Sequence, residues 1–124
     1  MIKLSGYKIL KEIGSGGMGA VYLAEHEKLE KKVAIKSLHK NLATNSNFRA
    51  RFLLEAKTHS MLSHPNIVSL LDYKERKDGL FLIMEYVEGM QLDNYIKNVS
   101  GPIPEEKLID LFSQILDAVG YAHN

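Results

Sequence analysis

Two short stretches decide the fold: Gly14-Ser15-Gly16-Gly17-Met18-Gly19-Ala20-Val21 and Val33-Ala34-Ile35-Lys36. The first fits G-x-G-x-x-G-x-V, and the second ends an apolar, β-branched run on a lysine. The first spacing by itself also opens dinucleotide-binding βαβ units, where the third glycine leads into a helix. Here Ala20-Val21-Tyr22-Leu23 follows instead, which is β-branched, aromatic and strand-like. The run therefore predicts a hairpin. Its glycines allow positive φ and close approach of backbone N–H groups to phosphate oxygens. A plain glycine-rich turn is the bland alternative, but four glycines within residues 14–19 exceed what a two-residue turn needs.

Working outward, Tyr7 to Ile13 alternates as a strand, Ala20 to Glu25 returns, and Lys32 to Leu38 adds a third, giving an antiparallel meander. Lys28 to Lys32 reads as a solvated charged turn. Asn41 to Asn47 is polar and suited to capping a helix. From Phe48 the period changes. Phe48, Phe52, Ala56 and Ser60 recur every fourth residue, with Glu55, His59 and Leu62 on the adjoining face, which predicts a helix from about Asn47 to Ser63. His64-Pro65-Asn66 ends it. Ile67 to Tyr73 reads as a fourth strand, Lys74 to Gly79 as a polar turn and Leu80 to Met84 as a fifth strand. After the connector Glu85 to Gly89 a short helix is expected over about Leu92 to Lys97. Pro104, Glu105 and Glu106 open a last helix, since proline and acids suit a helix start. Leu108, Leu111, Phe112, Ile115, Leu116, Val119 and Ala122 give that helix a wide apolar stripe.

Alternation places Ala34 and Lys36 on one face of the third strand. A lysine on the inward face of a sheet is costly unless paired. A solvent-facing edge lysine is the alternative, and it loses weight because Glu55 on the predicted helix is an available partner.

The remaining composition narrows the function classes. The chain has 124 residues, 45% hydrophobic and 25% charged, which fits a globular domain with a moderate core. With 16 basic and 15 acidic residues the net charge is +1, and this balance points to neither a nucleic-acid footprint nor a polybasic membrane anchor. Cysteine is absent, so disulfides and thiolate metal sites are excluded. The longest apolar run, Leu80 to Met84, is too short to span a bilayer. The histidines show no metal-ligand spacing, so no metal bound by this chain's residues alone is expected.

The glycine run, Lys36 and Glu55, with His64-Pro65-Asn66-Ile67-Val68 and Leu82-Ile83-Met84-Glu85-Tyr86-Val87-Glu88-Gly89, resemble the protein kinase family. The G-S-G-G-M-G-x-V-Y form of the loop is similar to bacterial, eukaryotic-like serine/threonine kinases. The resemblance runs from about Tyr7 to Asn124. It implies an α+β fold: a five-stranded antiparallel sheet with one packed helix, then a hinge and two helices of a truncated large lobe. Residues 1–87 would be the small lobe with its hinge, and 88–124 the first helices of the large lobe.

By the same resemblance, ATP is the cofactor and protein hydroxyls are the substrates of the parent protein. Gly14, Ser15, Gly16, Gly17, Met18 and Gly19 would cover the phosphates. Ile13, Val21 and Ala34 would sandwich adenine, with Met84 as gatekeeper. The backbone C=O of Glu85 and N–H of Val87 would bond the adenine edge, and Gln91 lies near where the family contacts ribose. Glu55 would orient Lys36 toward the α- and β-phosphates. His59 falls where kinases commonly place an aliphatic residue, and reads as a packing histidine.

Neither H-R-D nor D-F-G occurs in the 124 residues. The catalytic-loop Asp and the Mg²⁺ ligands of a complete kinase would lie beyond this chain, which alone is expected to be inactive. The stripe including Leu108, Phe112, Ile115 and Val119 would lack its family partner and is expected to support self-association. The chain is expected to be cytoplasmic, with any membrane anchor of a longer parent outside it. Two rival readings differ in class: a non-catalytic nucleotide-binding or scaffold module complete at this length, and a metabolite kinase with a similar small lobe. A continuation carrying H-R-D-x-x-x-x-N separates the first from the kinase reading, and the H-P-N-I-V and M-E-Y-V-E-G runs disfavour the second.

Overall fold

The computed structural model describes residues 3–16, 19–76 and 79–123. Strands β1 (Tyr7–Ser15), β2 (Gly19–His26) and β3 (Lys32–Leu38) form the meander. Two helices follow, α1 (Lys40–Ala43) and α2 (Ser46–Ser60), and then β4 (Leu70–Arg76) and β5 (Gly79–Glu85). All neighbours pair antiparallel in the order β1-β2-β3-β5-β4. β5 therefore inserts between β3 and β4, leaving β4 on the edge.

The sheet is covered on both faces. Leu4, Ala24, Val33, Ile35, Phe81 and Ile83 form one buried cluster, with Tyr7 and Ile9 against it. Leu38, Phe52, Ala56, Leu80 and Leu82 form the other with Ala43, joined by Leu42, Leu70, Tyr73 and Met84. β5 supplies alternate residues to each, so its run from Gly79 to Ile83 is buried without a break. A strand with two dry faces reads as a continuous apolar run rather than an alternation.

Several boundaries differ from expectation, each for a local reason. α2 stops at Ser60, not Ser63, because Met61 and Leu62 donate their N–H groups three residues back, to Thr58 and His59, and close the last turn tightly. Its start is fixed by Asn45, whose side-chain oxygen accepts from the N–H groups of Asn47 (3.0 Å) and Phe48 (3.3 Å). α1 precedes this cap inside the stretch read only as polar. β4 begins at Leu70 rather than Ile67, because Ile67 donates to His64 O (3.1 Å) in a turn. It then runs on through Lys74, Glu75 and Arg76, residues expected in the turn, by pairing with Phe81, Leu80 and Gly79.

By contacts the chain divides into two units. Residues 1–63 and 68–86 form the first, and residues 64–67 with 87–124 the second. In the second, α3 (Leu92–Tyr95) continues into a single π turn over Ile96–Ser100. Gly101, at φ 65°, ends it and donates to Ile96 O at 2.9 Å. Glycine suits this left-handed backbone at no Cβ cost. α4 (Glu105–His123) is the long helix of the unit. His64 stacks on Tyr121 with ring centroids 5.2 Å apart, and Asn66 Nδ2 donates to Gln114 O at 3.2 Å. The His-Pro-Asn turn is thereby docked on α4. Ala118 is buried, whereas Phe112, Ile115, Leu116 and Val119 are exposed.

Candidate functional site

Register in β2, β3 and β5 sets which side chains share a face. Directly opposed residues of antiparallel strands point the same way. Val21 opposes Lys36, which opposes Leu82. Ala34 opposes Met84. Alternation then puts Val21, Ala34, Lys36 and Met84 on the face that carries Leu82 and α2. Val33 and Ile35 turn to the other. Gly14 opposes Val21 across the hairpin, and Gly16 N–H donates to Gly19 O at 2.9 Å. Ser15 opposes Ala20. Gly17 and Met18 lie outside the described residues.

The three described glycines of the hairpin are not equivalent. A Cβ on Gly19 would stand 1.8 Å from the Ser37 carbonyl oxygen, so no side chain fits between β2 and β3 there. Gly16 would meet nothing within 4 Å, and Gly14 only the Val21 Cβ at 3.9 Å. Of these three, packing within the described residues demands only Gly19. Sequence reasoning missed a further contact: His39 Nε2 lies 3.2 Å from Gly16 O, tying the hairpin to the residue just past β3. Nothing in spacing or periodicity signals it, because the two meet only through the β2–β3 pairing.

Lys36 is exposed, and so is Glu55 on α2. Among the described residues no ion pair or hydrogen bond joins them. The ion pair that does form on α2 is Arg49 with Glu75 of β4, at 2.7 Å. Ile13 is 43% exposed and sits at an irregularity in the β1–β2 register between Glu12 and Gly14. Glu85, at the end of β5, takes Ser69 O on its N–H (2.9 Å). Its Oε2 accepts weakly from Ser69 N–H at 3.4 Å. Val87 and Gln91 belong to the second unit, where both are exposed. Gln91 O accepts from Tyr95 N–H at 3.0 Å, so Gln91 caps α3 through its backbone.

His59 is half-buried, with Nε2 2.6 Å from Val68 O. It bonds the end of α2 to the approach of β4, a polar role that the helix periodicity did not distinguish from packing. Tyr73 stacks on Phe52 (6.5 Å), and its buried hydroxyl finds no partner among the described residues. Burial, and then the Glu75 carboxylate, raise its pKa above 10.0, with Arg49 opposing. Tyr7 is raised as well, by burial first and the Asp72 charge second.

A five-stranded antiparallel sheet with a glycine hairpin, a lysine on the third strand and a helix bearing an acid is the first lobe of a protein kinase. The protein kinase domain model matches residues 7–124, and the chain belongs to that family. It is 45% identical over 122 residues to the serine/threonine-protein kinase PrkC of Bacillus subtilis, covering 98% of this chain and 19% of that protein. It is 37% identical over 118 residues to the serine/threonine-protein kinase pkn2 of Myxococcus xanthus, covering 95% of this chain and 14% of that one. The crystal structure of the PknI kinase domain of Mycobacterium tuberculosis superposes with a TM-score of 0.77 at 28% identity, over 98% of this chain and 49% of that domain. The chain thus spans a quarter or less of the length of the curated relatives it matches and about half of a solved kinase domain. Among the described residues no helix is long and apolar enough to cross a membrane.

Proposed function

We propose that this chain is the nucleotide-binding portion of a serine/threonine protein kinase, with residues 1–87 as small lobe and hinge and 88–124 as the start of the large lobe. ATP phosphates lie under the Gly14–Gly19 hairpin, within reach of Lys36. Adenine packs against Ile13, Val21 and Ala34, with Met84 behind it. The Glu85 carbonyl and Val87 N–H hold the adenine edge, and Gln91 neighbours the ribose. Glu55 orients Lys36 when α2 brings it close. In the complete protein, Mg²⁺ supplies charge neutralisation for transfer of the γ-phosphate to a Ser or Thr hydroxyl.

One observation carries this reading: the β2–β3–β5 register sets Val21, Ala34, Lys36 and Met84 on a single face. The hairpin glycines add support. Gly14 and Gly16 are not needed for packing, which leaves backbone approach to a ligand as the reason for a side chain's absence. For partners, we infer a second copy of the chain against the stripe Leu108, Phe112, Ile115 and Val119, all of them exposed.

Calorimetric titration with Mg-ATP tests the reading. The expected dissociation constant is about 0.1 mM or weaker, roughly −5.5 kcal/mol, because half of the site's groups are outside these residues. Lys36→Met abolishes the signal. The same protein transfers no radiolabelled phosphate to a generic basic protein or to itself. Binding unaffected by Lys36→Met, or turnover that Lys36→Met removes, contradicts the assignment.

A further inference from the structure

The two arms of the glycine hairpin are held differently. The β2 arm is fixed: Gly19 pairs with Leu38, and its backbone lies too close to the Ser37 carbonyl for any side chain. The β1 arm is looser. β1 is an edge strand, and its register with β2 breaks between Ile9 and Lys11 and again between Glu12 and Gly14. The last pair of the two strands is Ser15 with Ala20. Beyond it Gly16 is exposed and has no side chain to pack. β3 ends at Leu38, opposite Gly19, so no third strand backs Gly16.

His39 supplies a tie to this arm. Its own backbone is anchored. Leu38 before it is buried, and the His39 carbonyl accepts the N–H groups of Leu42 (3.0 Å) and of the buried Ala43 (2.8 Å), which opens α1. From that base the ring reaches past the start of β2 to the β1 arm, where Nε2 stands 3.2 Å from Gly16 O. A carbonyl oxygen only accepts, so the contact requires the hydrogen on Nε2 and makes His39 the donor. Gly16 N–H is used as well, donating to Gly19 O at 2.9 Å. Both backbone polar groups of Gly16 are therefore engaged, and the residue is oriented without a side chain. An exposed bond of this kind adds little to folding stability. What it constrains is a residue that one backbone bond otherwise holds among the described residues.

Phosphate oxygens are drawn to backbone N–H groups and repelled by carbonyl oxygens. A hairpin that must be ordered when its ligand arrives loses affinity to that ordering. We propose that His39 is a positioning residue for nucleotide phosphates: by donating Nε2–H to the Gly16 carbonyl it ties the loose arm of the hairpin to the end of β3, keeps that oxygen occupied and presets the hairpin for a polyphosphate. The proposal rests on the nucleotide reading above and extends it to a residue outside the glycine run, Lys36 and the adenine face. Because the tie acts at the phosphates, it matters for ATP and not for adenosine.

The test compares wild type, His39→Ala and His39→Gln at one pH. Glutamine offers an amide donor at nearly the same reach as Nε2, and both substitutions keep the backbone carbonyl that opens α1. Without nucleotide, exchange of the Gly16 amide with water, read by NMR, should be at least threefold faster in His39→Ala. In His39→Gln it should stay within twofold of wild type. Titration of isotope-labelled protein should show ATP bound threefold to tenfold more weakly by His39→Ala and within twofold of wild type by His39→Gln. Adenosine should bind all three alike. A purely structural loss would weaken adenosine and ATP together, and that result overturns the proposal. So does an ATP affinity unchanged in His39→Ala, which leaves the nucleotide reading standing, or a loss in His39→Gln as large as in His39→Ala. Wild type that shows no ATP shifts at millimolar concentration removes the nucleotide reading, and the proposal falls with it.

Discussion

β5 and α4 each carry a row of large apolar side chains, and they meet opposite fates. Every residue of β5 from Gly79 to Ile83 is buried, because Leu80 and Leu82 face α2 while Phe81 and Ile83 face the Leu4–Tyr7 cover. On α4, Ala118 is buried, whereas Ile109, Phe112, Ile115 and Leu116 are each about half exposed or more. Hydrophobic content alone does not distinguish them. What differs is whether the chain itself supplies a surface to lie against each face.

The sharpest way to break this contrast is paired truncation. Ile83→Ala leaves a cavity at a fully buried site and should cost about 2–5 kcal/mol of stability in urea unfolding. Phe112→Ala, on a half-exposed helix face, should cost within about 0.5 kcal/mol in dilute solution. Light scattering extends the comparison. Phe112→Glu/Ile115→Glu should lower the apparent mass without lowering the unfolding midpoint of the sheet. Comparable costs for the two truncations would mean that α4 is covered as completely as β5.

The same contrast explains what could be read from the residues. β3 was legible to the residue, from Lys32 to Leu38, because its flanking charges and β-branched core leave one solution. The apolar stripe of α4 was legible as a stripe. Its state of cover was not, since periodicity names a face and never its occupant. β4 was misplaced because its outer half, Lys74 to Arg76, is polar. That segment pairs for its backbone and its place beside Phe81 and Leu80, not for its own hydrophobicity. In the candidate site, strand alternation put Ala34 and Lys36 on one face, which the register reproduces. The partners of Arg49 and His59 were invisible, because each depends on how β4 and the residues just before it lie against α2.

A smaller effect sharpens the account of the α2 side of the sheet. Tyr73 presents a buried hydroxyl without a partner among the described residues, inside an otherwise apolar cluster. Tyr73→Phe removes that unmet group and should raise stability by about 1 kcal/mol, seen as a higher unfolding midpoint. The pH dependence carries a definite sign. A tyrosine whose folded pKa is raised above 10.0 holds its proton more tightly when folded. Its contribution is complete below pH 10 and is lost as pH climbs through the raised value. Wild type should therefore lose stability above pH 10, and Tyr73→Phe should lose less of it, with Tyr7 accounting for part of what remains. Identical alkaline profiles would show that Tyr73 is not the titrating group.

The central claim is that the sheet face bearing Val21, Ala34 and Lys36 is where nucleotide binds. Amide chemical shifts of isotope-labelled protein, followed during titration with ATP, test it most directly. The account predicts saturable shifts at Gly14, Ser15, Gly16, Gly19, Val21, Ala34 and Lys36, lost in Lys36→Met. Ala24 in β2 and Phe81 in β5, in the cluster on the opposite face, should stay unmoved. Shifts centred on Ala24 and Phe81, or none at millimolar ATP, would contradict it.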